Sequence, residues 1–221
     1  MKLVVGAAAR RLRAGASRFG RVLACLTVAA MLAAAPLSAR AVEPATPENI
    51  VHTFNATLLN VMKNAKDLGY QGRYDALAAV MNNGFDFAGM TRVAVGPTWS
   101  NLSPLQQSAL IAAFQRFSIA TYATQFDDYS GEQMHTDGPS QPTANGVLVS
   151  TTLAPPNGDA VKFGYLVHKV DGAWRIIDIY LDGTISQLAV RRSEFRSVLA
   201  RSGPEGLVQL LDEKAKKLAM T

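Results

Sequence analysis

The sequence has almost no cysteine, and this absence excludes several kinds of chemistry. Its 221 residues include a single cysteine, Cys25, which lies in an N-terminal segment that we expect to be removed from the mature protein. A chain without thiols forms no disulfide bonds and offers neither a cysteine nucleophile nor a cysteine metal ligand. The mature fold must therefore depend on its apolar core.

Histidine is also scarce, and the common catalytic motifs are missing. The three histidines, His52, His135 and His168, fall in three different predicted elements, without a metal-ligating residue at short spacing. The sequence has no glycine-rich phosphate loop and no Gly-x-Ser-x-Gly nucleophile elbow. We therefore predict that the protein binds neither a metal nor a cofactor.

The first 41 residues have the pattern of a secretory signal peptide. Five arginines between Arg10 and Arg21 form a basic region, residues 22–35 form an apolar run, and Ala39-Arg40-Ala41 has the small-x-small pattern of a cleavage site. We predict export with cleavage after Ala41 or, as a second choice, after Ala39. The apolar run is shorter than the roughly 20 residues of a spanning helix, which favours cleavage over a retained anchor.

The positive charge of the chain is concentrated in that leader. The whole chain has 22 Lys and Arg against 17 Asp and Glu, but residues 1–41 hold seven of the basic residues and no acidic ones. Residues 42–221 therefore carry a net charge of −2. The basic isoelectric point belongs to the leader, and composition gives no reason to expect nucleic-acid binding.

Apolar residues recur at helical spacing through the first half of the mature chain. Thr46-Pro47 is a helix-start signal, and apolar residues then recur at helical spacing as far as Gly69. Further helices are predicted from Tyr70 to Gly96. The stretch Ser103-Pro104-Leu105-Gln106 has the capping-box pattern and starts another helix, which we expect to reach Asp127. We therefore predict a helical region over residues 46–128.

The period changes from helical to two after the helical region. The alternation predicts four strands, at residues 132–137, 147–154, 160–170 and 173–182. The capping-box pattern Thr184-Ile185-Ser186-Gln187 then opens C-terminal helices over 184–219, with a break at Gly203-Pro204. Helices followed by strands indicate the α+β class, here a curved antiparallel sheet of about four strands over 132–182, packed by helices.

The last two strands form the clearest hairpin, centred on Asp171-Gly172, a pair that suits a type I′ turn. Pairing outward from this turn sets Tyr165 against Asp178 and Phe163 against Tyr180. Two interpretations of Asp178 follow. It forms an acid/base pair with Tyr165 in a cone-shaped cavity, as in ketosteroid-isomerase-like enzymes, or it is a structural group that caps a backbone donor or ties the sheet to a helix. We favour the structural interpretation, because a buried carboxylate needs a partner in any case.

A series of short motifs runs in a fixed order along the mature chain. The motifs are Phe85-Asp86-Phe87, Met90-Thr91-Arg92, Val95-Gly96, Trp99, Gln106-Gln107, Gly172-Ala173-Trp174-Arg175, Asp182-Gly183 and Arg192-Ser193-Glu194-Phe195. In this order they resemble the MlaC / toluene-tolerance family of periplasmic lipid-binding proteins, over about 47–218. Phospholipid carriers of that family usually have Asn-Tyr-Arg before Ser-x-Phe; this chain has residues 187–192, QLAVRR, instead, which looks more like the hopanoid-associated HpnM branch.

The resemblance implies that residues 42–221 form one NTF2-like domain with an added helical lobe and an apolar pocket between sheet and helices. It also implies a periplasmic carrier, which we expect to be monomeric, passing hopanoid or phospholipid from an inner-membrane ABC transporter to an outer-membrane complex or back. The faces of the predicted elements place twelve residues in this pocket: Phe54, Leu58, Met81, Phe114, Phe117, Val149, Thr151, Phe163, Tyr165, Val167, Ile176 and Tyr180.

Two other functions remain open at this point. An enzyme acting on a lipid intermediate would use Asp178 and Tyr165, although we predict no catalytic residue. A docking subunit of a transport system, without cargo, would have a pocket filled by its own side chains. A basic stretch formed by Arg191, Arg192, Arg196 and Arg201 is ordinarily a solvated face, and otherwise a contact for an acidic partner or anionic head groups.

Overall fold

The computed structural model describes residues 46–220. The predicted signal peptide and both cleavage sites lie outside this range and stay predictions. The elements in order are α1 (Pro47–Lys63), α2 (Ala65–Gly84), α3 (Phe87–Val95), a 3-10 helix (Gly96–Asn101), α4 (Pro104–Gln125), β1 (Gln133–Thr136), β2 (Gln141–Thr143), β3 (Gly146–Ala154), β4 (Val161–Val170), β5 (Ala173–Leu181), β6 (Ile185–Ser186) and α5 (Gln187–Leu218). Among them is no helix that combines the length and the apolar character needed to cross a bilayer.

Two helices begin where the sequence predicts. The Thr46 hydroxyl caps α1 by accepting a hydrogen bond from the Asn49 N–H at 3.2 Å. At the start of α4, the Gln106 N–H donates to the Ser103 hydroxyl at 3.2 Å, and the Ser103 N–H donates back to the Gln106 side chain at 2.9 Å. The capping box is therefore confirmed, and α4 ends two residues before the predicted Asp127.

Glycines break two of the helices. Gly69 has φ +60° and ψ −176° inside α2, and Gly203 has φ +64° and ψ −172° inside α5, a conformation that glycine adopts at little cost. The predicted break at Gly203-Pro204 is confirmed. The prediction that the first helix runs unbroken to Gly69 is wrong, because α1 ends at Lys63 and Asn64 leaves the helical conformation.

The break at Gly203 folds α5 back along α4. Before the break α5 runs antiparallel to α4: its Phe195 packs edge-to-face on Phe114, with ring centroids 5.6 Å apart. After the break it runs parallel to α4, where Asp212 pairs with Arg116 at 2.7 Å. Helix α5 therefore forms a helical hairpin, both of whose arms contact α4.

All strands of the sheet are antiparallel, in the order β1-β3-β4-β5-β6, with β2 also paired to β3. The predicted α+β class is confirmed, but the sheet has six strands rather than about four. The two additional strands, β2 and β6, have three and two residues, too short for alternation to reveal them. Because Ser186 belongs to β6, the N-cap of α5 is Ser186 and not the predicted Thr184.

A β-bulge divides the β4–β5 hairpin. Near the turn, Val167 lies opposite Ile176 as predicted, but beyond the irregularity Tyr165 lies opposite Ile179 and Phe163 opposite Leu181. The predicted pairs of Tyr165 with Asp178 and Phe163 with Tyr180 are therefore wrong by one residue. The extra residue is Ile177 on β5, and such an insertion exchanges the faces of all later residues.

Phe54 of α1 lies at the centre of the core. Its ring meets those of Phe85, Tyr122 and Tyr165 edge-to-face, at centroid distances of 5.0, 5.5 and 6.0 Å. Edge-to-face pairs at such distances stabilise a fold beyond the area they bury. The cluster joins α1, α4 and β4, so the helices and the sheet share one apolar interior.

Candidate functional site

A cavity of about 170 Å³ lies between the β4–β5 hairpin and the helices. Most of its wall is apolar or aromatic: Met81, Phe85, Phe87, Met90, Phe114, Phe117, Tyr122, Phe126, Phe163, Ile179, Leu181 and Leu188. Its polar lining residues are Ser118, Thr121, Gln125, Asp178, Gln187 and Arg191. An apolar concave site with a few polar groups is typical of a binding pocket.

Helix α4 supplies a third of this wall. Phe114, Phe117, Ser118, Thr121, Tyr122 and Gln125 line the cavity. Their spacing of three and four residues repeats along one face of an α-helix. One face of α4 therefore borders the cavity over about three turns.

Four of the twelve predicted pocket residues lie in the cavity wall: Met81, Phe114, Phe117 and Phe163. Seven others are fully buried behind it, with 0–1% of their surface exposed: Phe54, Leu58, Val149, Thr151, Tyr165, Val167 and Ile176. Tyr180 lies opposite Gly164 in the sheet. Because of the bulge, Leu181 occupies the position in the cavity wall that was predicted for Tyr180. The alternation of side chains identified the inward face but not which inward residues border the space.

Several wall residues are not among the twelve predicted from the sequence. Tyr122 and Phe126 lie on the same helical stripe as Phe114, which is a signal that could have found them. Phe85 and Phe87 flank the start of α3 and belong to a motif of the family resemblance. Ile179 and Leu181 depend on the bulge, which has no signal in the local sequence.

Tyr122 in the cavity wall and Tyr165 behind it are both neutral at ordinary pH. Tyr165 donates a hydrogen bond of 2.8 Å to the Asn55 side chain, and burial raises the pKa of its phenol well above the usual value. Burial also raises the pKa of Tyr122, and the positive charge of Arg191 offsets part of this increase. Neither phenol offers a ready base.

Asp178 is occupied by structural hydrogen bonds. One of its oxygens, Oδ1, accepts from the backbone N–H groups of Ile179 at 2.7 Å and Leu188 at 3.0 Å. The other accepts from the Ser186 hydroxyl at 2.5 Å. The Tyr165 hydroxyl donates to Asn55 instead, so the structure does not form the acid/base pair that an enzyme of this type would need.

The histidines are dispersed in the structure as they are in the sequence. His52 and His135 are exposed, while His168 Nε2 lies 3.0 Å from Asp86 Oδ2. Within residues 46–220 no three His, Cys, Asp or Glu side chains come together in a group that could hold a metal ion. Among residues 46–220, one carboxylate lines the cavity, that of Asp178.

A second depression lies on the far flank of α5. It measures about 330 Å³ and is lined by Val95, Pro97, Thr98, Arg192, Arg196, Leu199 and Ala200. Five of these seven residues are exposed: Pro97, Thr98, Arg192, Arg196 and Ala200. It is thus a surface groove, whereas the first cavity reaches the aromatic interior and is the better candidate for an apolar ligand.

Comparisons with known proteins agree with this geometry. A family model described as "MlaC protein" matches residues 52–213. Among solved structures, the chain is similar to a phospholipid-binding protein from Ralstonia solanacearum, solved in complex with a phospholipid. That match has 28% sequence identity and a TM-score of 0.69, and it covers 79% of this chain and 99% of the other. No curated protein matches the chain.

Proposed function

Since this chain belongs to the MlaC family, we propose that it is a carrier whose cavity holds the apolar part of a lipid. The cargo is a hopanoid or a phospholipid, which the protein moves through the periplasm between the inner and outer membranes. The observation that carries the proposal is the aromatic cavity between sheet and helices, in a fold similar to that of a protein solved with phospholipid.

Burial of the lipid tail supplies the driving force for binding. Each Å² of apolar surface removed from water contributes about 25 cal/mol, so a few hundred Å² contribute several kcal/mol before the entropy cost of association. An affinity of this size suits a carrier, because the carrier has to release its cargo at its destination. The few polar groups in the wall are consistent with binding that depends on area more than on specific hydrogen bonds.

The cavity must widen to take up a whole lipid tail. Its volume of about 170 Å³ is below the roughly 300–1,000 Å³ of ordinary ligand pockets. Met81 and Met90 lie in the wall, and methionine has three rotatable bonds that let it fill or vacate irregular space. We expect these two side chains to move when lipid enters.

The wider setting of this function also belongs to the proposal. The leader is cleaved, the mature protein acts as a periplasmic monomer, and it exchanges lipid with an inner-membrane transporter and an outer-membrane complex. Support comes from the signal-peptide pattern of residues 1–41 and from the motifs shared with periplasmic carriers of the family.

The decisive experiment is native mass spectrometry of the mature protein, purified from its own periplasm without detergent. A bound mass that matches a hopanoid or a phospholipid supports the carrier function and names the cargo. The carrier function is contradicted if the protein is repeatedly empty and also fails to exchange lipid with added vesicles. Extraction of the bound material followed by tandem mass spectrometry then distinguishes the two lipid classes.

A further inference from the structure

One acidic residue joins the start of α3 to two strands of the sheet. The backbone N–H of Asp86 donates to the Ile176 carbonyl on β5 at 2.9 Å. Oδ2 of the same residue lies 3.0 Å from Nε2 of His168 on β4. Because a carboxylate only accepts hydrogen bonds, the imidazole is the donor. Asp86 is therefore bound to both strands of the β4–β5 hairpin.

The other carboxylate oxygen of Asp86 belongs to α3. Oδ1 accepts from the Gly89 N–H at 2.8 Å and caps the helix, while the Asp86 carbonyl accepts from the Met90 N–H at 2.8 Å. The Asp86 side chain is 11% exposed and that of His168 is 29% exposed, so their contact is partly withdrawn from water, where a hydrogen bond is stronger. Each carboxylate oxygen thus has a partner, one in the helix and one in the sheet.

Bonds to two neighbouring strands fix the direction of α3 as well as its position. The single bond to Ile176 acts as a pivot, and a second bond to the next strand, about 5 Å away, opposes rotation about it. Helix α3 also lies close against the sheet, because a Cβ at Gly89 would overlap both the Asp86 carboxylate and the Ile177 side chain. Within residues 46–220, no other side-chain hydrogen bond joins α3 to the sheet.

The segment that this contact holds forms part of the cavity wall. Phe85, Phe87 and Met90 line the cavity and lie within four residues of Asp86. Asp86 and His168 themselves lie outside the wall. The contact therefore acts on the cavity through the position of these three side chains, which decides how much apolar surface meets a lipid tail.

We propose that the contact between Asp86 and His168 positions the α3 part of the wall for lipid binding before a lipid enters. This inference rests on the proposed carrier function and goes beyond it. Without the contact, α3 pivots in the empty protein, and the lipid has to order the wall as it binds. Such ordering costs free energy, which lowers the affinity for lipid.

Three variants separate this contact from the helix cap. His168→Ala removes the donor. Asp86→Ser keeps a capping hydroxyl on a side chain too short to reach His168. His168→Gln keeps an amide N–H close to the place of Nε2 and serves as the conservative rescue.

Lipid affinity is the first readout. Delipidated protein is offered dioleoyl phosphatidylglycerol, and binding is measured by native mass spectrometry. We expect His168→Ala and Asp86→Ser each to bind about three- to tenfold more weakly than wild type, the ordering cost of one or two side chains, and His168→Gln to bind like wild type. The double variant is expected to bind no more weakly than either single variant, because both changes remove one contact.

A second readout needs no lipid. In ¹³C-methyl methionine spectra of the empty protein, the Met90 resonance is expected to shift and narrow in His168→Ala, since its helix is less restrained. Met62 lies on α1, is 6% exposed and is outside the cavity wall, so its resonance should not change. An unchanged Met90 resonance would overturn the positioning role.

The matched control for stability is Thr46→Ala, which removes the cap of α1. It is expected to lower the melting temperature about as much as His168→Ala does, and to leave lipid affinity unchanged. Equal losses of affinity in Thr46→Ala and His168→Ala would assign the effect to stability alone and overturn the proposal, as would full affinity in both His168→Ala and Asp86→Ser. Wild-type protein that binds no lipid, with a Met90 resonance that still responds to His168→Ala, contradicts the carrier function and supports the link between the contact and the wall.

Discussion

The carboxylate of Asp178 accepts a hydrogen bond of 3.0 Å from the backbone N–H of Leu188, which joins the edge of β5 to the first turn of α5. Ser186 bridges the same two elements, since its hydroxyl donates to Asp178 and accepts from the Ala189 N–H at 2.9 Å. A negative charge at a helix N-terminus is favourable. Two side chains thus anchor the helix that carries Arg191 onto the sheet.

Replacing Asp178 with Asn is expected to destabilise the protein by about 1–3 kcal/mol, because the amide loses the charge and one acceptor while its neighbours stay buried. The melting temperature should fall by several degrees. Asp182→Asn is the matched control, since Asp182 is exposed with φ +50°, which Asn tolerates. Equal melting temperatures of the two variants would contradict an anchoring role for Asp178.

Stability is expected to fall at alkaline pH. Burial raises the pKa of Tyr165 and Tyr122 in the folded state, so both phenols keep their protons when the unfolded chain begins to lose its own near pH 10. Below pH 10 the two states hold equal numbers of these protons, and the full stability is present. Above pH 10 the free energy of unfolding falls by up to about 1.4 kcal/mol per pH unit for each tyrosine.

Denaturant unfolding of wild type and Tyr165→Phe at pH 8, 10 and 11 measures this effect. At pH 8 the variant should be less stable, because the buried Asn55 oxygen loses its donor. The difference should narrow as the pH rises, since phenylalanine has no proton to lose. A constant difference from pH 8 to pH 11 would show that Tyr165 does not contribute to the alkaline loss.

The first residue of β3, Gly146, leaves no room for a side chain. This residue has φ +145°, and a Cβ there would overlap the backbone carbonyl oxygen of Val167. Gly138 also has positive φ, at +69°, but open space around its Cβ position. We expect Gly138→Ala to lower the free energy of unfolding by about 1–2 kcal/mol because of backbone strain. Gly146→Ala is expected to lower it by at least about 1 kcal/mol more. Chemical denaturation of both variants checks the order, and equal losses would contradict the overlap.

Filling the cavity should remove bound lipid. Thr121 lines the cavity on α4, and Thr121→Trp places an indole where the tail is expected. Lipid affinity should fall tenfold or more, which corresponds to about 1.4 kcal/mol, with a stability loss of about 1–3 kcal/mol from overpacking. Ser108→Trp, on an exposed position of the same helix, should bind lipid normally. Undiminished lipid in Thr121→Trp would move the cargo site elsewhere.

The sequence predicts best those features that neighbouring residues determine. The caps at Thr46 and Ser103 involve residues three positions apart, and the hairpin register is right from the Asp171-Gly172 turn as far as Val167. The bulge is different, because it forms where the backbone of Asp86 reaches the sheet and its N–H donates to the Ile176 carbonyl at 2.9 Å. A residue about 90 positions away thus shifts the register, and no local pattern reports it.

The cavity was predictable as an aromatic interior but not as a defined wall. Phe54 and Phe117 lie on equally regular apolar stripes, yet Phe54 is enclosed by other rings and Phe117 borders the space. Which of them faces the cavity depends on how α1, α4 and α5 stack. Arg191 was visible only as part of a basic stretch, because its contact with Phe117 depends on how the first arm of α5 packs on α4.

The break at Gly203 also makes the length of the following segment functionally significant. Each residue of an α-helix rotates the next side chain by about 100° and advances it by 1.5 Å. One residue inserted between Gly203 and Leu207 would therefore turn Leu207 and Leu211, which are 0% and 1% exposed, away from the core, and would move Asp212 off Arg116. The exposed residues of this segment are free to vary in chemistry but not in number, because the second arm of α5 must keep the same face on α4, the helix that lines the cavity.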